Sequence, residues 1–183
     1  DAINYLLSGN PKSERSILST TGLLNIKTFN LSQRILEICQ VKNKFCSLVN
    51  PGYNLGKLIN HKNINVICGF SHDTAAAVNV MNNFSDKDMF ISCGTWSLLG
   101  TIISKPILSS KVMQYNFTNE IQNKKIRMLK NIVGLWIMQE LERELNISES
   151  ELTDKALNIN KKSNIIDISQ EKFYKPGNMI KKI

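Results

Sequence analysis

Apolar and polar positions change register several times along this chain, most sharply between Val66 and Gly100. Val66 and Ile67 are β-branched and read as a buried strand. Ser71, His72 and Asp73 follow at once, and Thr74-Ala-Ala-Ala-Val then favours a helix. An acid is thereby planted where a strand ends and a helix begins, with free backbone N–H groups just beyond it. Met89-Phe-Ile-Ser predicts a second strand and Trp96-Ser-Leu-Leu a third, so Gly94-Thr95 becomes the tip of a hairpin. The acid on its elbow and the hydroxylated tip are suitable walls for phosphoryl transfer. Neither is specific alone: a His-Asp pair also serves as a cap or turn, and Gly-Thr as a plain turn. Ser71-His72-Asp73 is not a hydrolytic triad, whose members come from separate parts of a fold.

Elsewhere the pattern predicts a helix over Ala2–Leu7, stopped by Ser8-Gly9-Asn10-Pro11. Asn30 and Gln33 have the spacing of a helix start, with Leu31, Ile35, Ile38 and Cys39 on one face. Asn50-Pro51-Gly52 marks a turn, Gly56 a second break, and Leu55 to His61 an extended piece. The polar cluster Asn60-His61-Lys62-Asn63 is the best domain boundary. Met128, Ile132, Leu135 and Met138, with Leu129, Val133 and Trp136, predict one long, mostly buried helix over Lys125–Leu145. Asn131 and Gln139 interrupt it, about 12 Å apart in helix rise, as satisfied core polar groups or as ligand contacts. Ser150 to Ile159 reads as a short polar helix, Ile165-Ile-Asp-Ile as a strand, and Phe173 to Gly177 as a loop.

Length and composition narrow the classes. At 183 residues and 42% hydrophobic, the chain has enough apolar residues for a core and suits one domain or parts of two. Its net charge of +8 is scattered, without the basic run or aromatic stripe of a nucleic-acid binder. No apolar run reaches membrane-span length, so neither nucleic acid nor membrane is an expected partner. Cys39, Cys46, Cys68 and Cys93 form no CxxC pair, and His61 and His72 join them in no metal-like spacing, so no protein metal ligand is expected. The expected setting is reduced and cytoplasmic. The chain begins with Asp1 inside a helical pattern, which suggests a piece of something larger.

Four stretches carry a resemblance: SHDTAAAV from Ser71, SCGTWSLLG from Ser92, NFTNE from Asn116 and IRMLKNIVGLWIMQE from Ile126. In order and spacing they resemble the motifs of rhamnulokinases, sugar kinases of the FGGY carbohydrate kinase family. Asn4–Thr28 resembles the family's segment before its interdomain hinge, and Phe173–Met179 a later loop, so the likeness covers nearly the whole chain. It implies an α/β, ribonuclease-H-like or actin-like ATPase fold, incomplete: 1–62 would end a first domain and 63–183 would begin a second.

By the same resemblance, Asp73 is the catalytic base that accepts the proton of a sugar hydroxyl attacking the γ-phosphoryl group of ATP. His72, Thr74 and Asn131 match sugar contacts, and Asp73 lies among them. Thr95 and Gly94 match the turn facing the ATP phosphates, and Gln139 a nucleotide contact. Mg²⁺ would bridge the phosphates, held partly by water. The implied activity is phosphorylation of L-rhamnulose at its primary hydroxyl in rhamnose catabolism. Alternatives are another ketose such as L-fuculose, a non-catalytic remnant and, outside the family, a basic nucleic-acid binder. Two departures stand out. Ile121-Gln122 replaces the usual Gly-Gly after Asn119-Glu120 and is expected to alter or loosen that loop. The family's Asp-Gly-Ser/Thr phosphate turn and its adenosine-holding glycine segment are absent, so the chain alone is expected to have little or no activity.

Overall fold

Helix α1 (Ala2–Ser8) ends at Gly9, whose φ of 69° is the left-handed backbone that glycine adopts without a Cβ penalty. The structure, a computed structural model, describes residues 1–42, 44–81, 85, 87–159 and 165–183. After α1 come β1 (Ser13–Glu14), α2 (Arg15–Ser19), β2 (Leu24–Asn25), β3 (Asn30–Leu31), α3 (Gln33–Ile38) and β4 (Leu48–Val49). β5 (Asn54–Leu58) and β6 (His61–Ile67) pair antiparallel, turning at Asn60. Next are α4 (Asp73–Val78), β7 (Phe90–Ser92), β8 (Trp96–Ile103), α5 (Ser110–Gln114), β9 (Thr118–Gln122) and β10 (Lys125–Val133). The described elements end with α6 (Trp136–Leu145), α7 (Glu149–Leu157) and α8 (Met179–Lys182).

The largest sheet has the order β7-β8-β10-β9, which places β8 and β10 inside it. The described residues group into two compact units, Asp1–Phe90 with Gly100–Leu129 and Ile91–Leu99 with Lys130–Ile183. The expected division after residue 62 refers to the domains of a longer kinase and is carried forward as a proposal. In the first unit, Leu18, Leu24 and Ile121 form one core cluster, and Val49, Leu55, Val66 and Cys68 another. In the second, α6 holds the C-terminal segment. Trp136 Nε1 donates to Phe173 O at 2.9 Å, Gly177 N to the buried Glu140 at 2.7 Å, and Met179 N and Ile180 N to Glu144.

Four sequence expectations need correction. Lys125–Leu145 is not one helix: strand β10 and helix α6 are separated at Gly134-Leu135. A strand inside a sheet buries both faces, and its near-continuous apolar run also fits helical spacing. Asn131 is thus an exposed strand residue, whereas Gln139 is on α6, and no common helix spaces them. Second, Asn30-Leu31 pairs with β2, so α3 starts after Ser32 and buries Leu36, leaving Ile38 and Cys39 exposed. Third, Ile165 to Ile168 is not a strand, and Ile165 is almost fully exposed. Fourth, Ile121-Gln122 forms no loosened loop. Both residues are buried in β9, Ile121 against the α2 core and Gln122 toward α4.

Among the described residues, asparagine is the commonest residue other than glycine at left-handed corners. Asn60, Asn116, Asn123, Asn146 and Asn178 all take positive φ, between 53° and 68°. Asparagine tolerates this region better than other residues that carry a Cβ.

Candidate functional site

The elbow after β6 is pinned from several sides within the first unit. Glu14 is fully buried and accepts from Ser16 N at 2.8 Å, from the Ser16 hydroxyl, and from Ser71 N at 3.0 Å. This fixes the chain one residue before His72. His72 is the N-cap of α4, with extended backbone and no side-chain capping bond, so its imidazole is available to another partner. That partner is Arg127, whose Nη2 lies 2.8 Å from His72 Nδ1.

Arg127 reaches this position because β9 and β10 pair antiparallel with Arg127 opposite Glu120. Cross-strand partners share a face, as do residues two apart on one strand, so Glu120, Gln122 and Arg127 converge. Arg127 pairs with Glu120 and donates to Gln122 Oε1 at 2.9 Å, and Gln122 Nε2 donates to Ala75 O of α4 at 2.8 Å. Arg127 and Gln122 are both buried, and the two terminal nitrogens of the guanidinium are paired and hydrogen-bonded as a buried charge requires, whereas its buried Nε has no partner among the described residues. The sequence reading missed Glu14, Glu120, Gln122 and Arg127. The available signal for Arg127 was a cation between Ile126 and Met128-Leu129.

Asp73 opens α4 with its side chain 94% exposed, turned to solvent rather than into the core. Its Oδ1 accepts from Thr74 N at 2.5 Å and from the Thr74 hydroxyl at 3.2 Å, and lies 3.6 Å from His72 Nε2. The Thr74 N–H, then the neighbouring His72 ring, the Thr74 hydroxyl and the Arg127 guanidinium, hold this carboxyl below the ordinary carboxylate range despite some desolvation. Thr74 itself is buried. His72, Asp73 and Thr74 therefore form one cluster with an accessible, ionised oxygen.

In the second unit, Gly94-Thr95 is the turn between β7 and β8, as the sequence predicts. Gly134 N and Trp136 N donate to Thr95 O at 3.2 and 3.1 Å, and Leu135 N to Gly94 O at 2.8 Å. Gly134 sits so close that an added Cβ would lie 2.3 Å from both Gly94 O and Ser97 Oγ. Thr95 is exposed on this clamped turn. Asn131 is exposed three residues before Gly134, and Gln139 is half-buried on α6. An exposed hydroxyl on a fixed turn suits a phosphate oxygen. Among the described residues, no group of three or more His, Cys, Asp or Glu side chains could hold a metal ion. No helix among them is long and apolar enough to cross a membrane.

No family model matches the sequence. The chain is 37% identical over its whole length to the rhamnulokinase of Bacillus subtilis (strain 168), covering 40% of that protein. It is 35% identical to the rhamnulokinase of Ligilactobacillus salivarius (strain UCC118), covering all of this chain and again 40% of the relative. The chain thus spans about two fifths of the length of these curated relatives. Among solved structures, a xylulose kinase from Lactobacillus acidophilus matches with a TM-score of 0.71 at 18% identity, over 85% of this chain and 34% of the other. Plasmodium falciparum glycerol kinase with ADP matches at 0.67 and 18%, over 83% and 33%. These likenesses show the actin-like, ribonuclease-H-like fold of sugar kinases. The whole-chain identity above places this chain in the FGGY carbohydrate kinase family, as a segment similar to about two fifths of a rhamnulokinase.

Proposed function

We propose that this chain supplies the base and one phosphate contact of an ATP-dependent kinase that phosphorylates L-rhamnulose at its primary hydroxyl. The observation that carries the proposal is the Asp73 carboxylate, exposed on its elbow and held ionised by the Thr74 N–H. Two relatives named rhamnulokinase and a neighbour solved with ADP support the choice of sugar and nucleotide.

Asp73 accepts the hydroxyl proton as the sugar oxygen bonds to the γ-phosphorus. The bond from that phosphorus to its bridging oxygen breaks, and ADP departs with the electron pair. Positioning supplies much of the rate in such transfers, and a rigid elbow suits it. His72, Thr74 and Asn131 contact the ketose, and the Thr74 hydroxyl also donates to the Asp73 carboxylate. Thr95 and Gly94 meet phosphate oxygens, and Gln139 contacts the nucleotide. Mg²⁺ would neutralise phosphate charge, carried by the nucleotide and water without a dedicated protein cage. Residues 1–62 end the first kinase domain and 63–183 begin the second, and an ATP-dependent catabolic kinase belongs in the cytoplasm.

The test is Asp73→Asn in the complete gene product, followed by sugar-dependent ADP release. The expected loss in kcat is about 10²- to 10⁴-fold. Unchanged turnover would remove Asp73 from the chemistry. Wild-type turnover with L-fuculose but not L-rhamnulose would reassign the substrate.

A further inference from the structure

We infer that Arg127 is a positioning residue for the Asp73 base, acting through the tautomer and orientation of His72. The inference rests on the reading of Asp73 as base. A guanidinium has five N–H donors and no acceptor. With Arg127 Nη2 at 2.8 Å, His72 Nδ1 must therefore be the acceptor. The imidazole then carries its proton on Nε2, the nitrogen 3.6 Å from Asp73 Oδ1. Arg127 in turn is immobilised by Glu120 and by Gln122, which is tied to Ala75 of the helix that bears Asp73. Arg127 is fully buried, and beyond the small direct pull of its charge on the Asp73 carboxyl its hold on that elbow runs through His72. Ile121-Gln122 gains a role here: the glutamine amide links β9 to α4 and steadies the guanidinium.

The test uses the complete enzyme with ¹⁵N-labelled histidine, the His72 signal being assigned by its loss in His72→Asn. We expect the wild-type ring to show protonated Nε2 and an accepting Nδ1, and Arg127→Lys to disturb that pattern. Arg127→Lys and His72→Asn should each lower kcat about 10- to 100-fold while leaving KM for ATP near the parent value. Together they should cost little more than either alone, because they remove one connected interaction. Additive kinetic losses would overturn the inference. So would a wild-type spectrum with the proton on Nδ1, a measurement that holds even where an Arg127 variant fails to fold. The nitrogen spectrum is independent of turnover. If Asp73→Asn stayed fully active, the reading of the base would fail while the Arg127–His72 contact remained measurable.

Discussion

Gly134→Ala isolates one close approach with a calculable outcome. Its Cβ would stand 2.3 Å from Gly94 O, 2.3 Å from Ser97 Oγ and 2.9 Å from Ser97 N. Comfortable contact is about 3.5 Å, so the turn must retreat by about 1 Å. The serine hydroxyl can rotate away, but the Gly94 carbonyl is backbone and receives Leu135 N at 2.8 Å. Retreat would stretch this bond and the two into Thr95 O. Overpacking costs about 1–3 kcal/mol, and partly weakening three hydrogen bonds, each worth about 1 kcal/mol in full, adds about 1 kcal/mol more, giving about 3 kcal/mol in all. For a body of this size that corresponds to a Tm lowered by about 6–12 °C. Thermal unfolding of the complete enzyme measures the cost, and hydrogen exchange at Leu135 and Trp136 locates it. KM for ATP should rise as Thr95 shifts. Adding Ser97→Ala should restore only part of the loss, since the carbonyl contact remains. An unchanged Tm with unchanged exchange, or complete rescue by Ser97→Ala, would refute the account.

Other consequences are open to direct measurement. Because the Asp73 carboxyl lies below the ordinary carboxylate range, it stays ionised as pH falls until that lowered value is crossed. The acid limb of kcat/KM should therefore sit below the usual aspartate range. Thr74→Val should move it only part of the way up, since the residue 74 backbone N–H is the largest cause and remains. Thr95→Val should raise KM for ATP while leaving KM for the sugar near its parent value, read from initial rates. Glu140→Ala leaves the Gly177 N–H without its acceptor and should destabilise the α6 and α8 region by about 1–3 kcal/mol, seen as faster exchange at Gly177.

Local signals were legible where a few residues decide the backbone. Gly9 ends α1, the alanines after Thr74 form α4, and Gly94-Thr95 turns between strands. The Lys125–Leu145 run was misread because sheet burial on both faces removes the alternation that marks a strand. Gly134 was the overlooked signal, a glycine inside an apolar run where another backbone comes close. Around Asp73, the motif was visible but its supports were not. Glu14 and Arg127 are remote in sequence from the elbow and meet Ser71 and His72, respectively, only through chain return and β-pairing.

The bends at Asn60, Asn116, Asn123, Asn146 and Asn178 bear on how such a composition can evolve. A lineage drifting toward this amide would lose shape if the residue accumulated in strands or helices, where it fits poorly. At corners with inverted backbone twist it is the nearest substitute for the residue lacking a side chain, and it also stiffens the unfolded chain. Bias can therefore collect at the corners while the Asp73 elbow keeps its side chains.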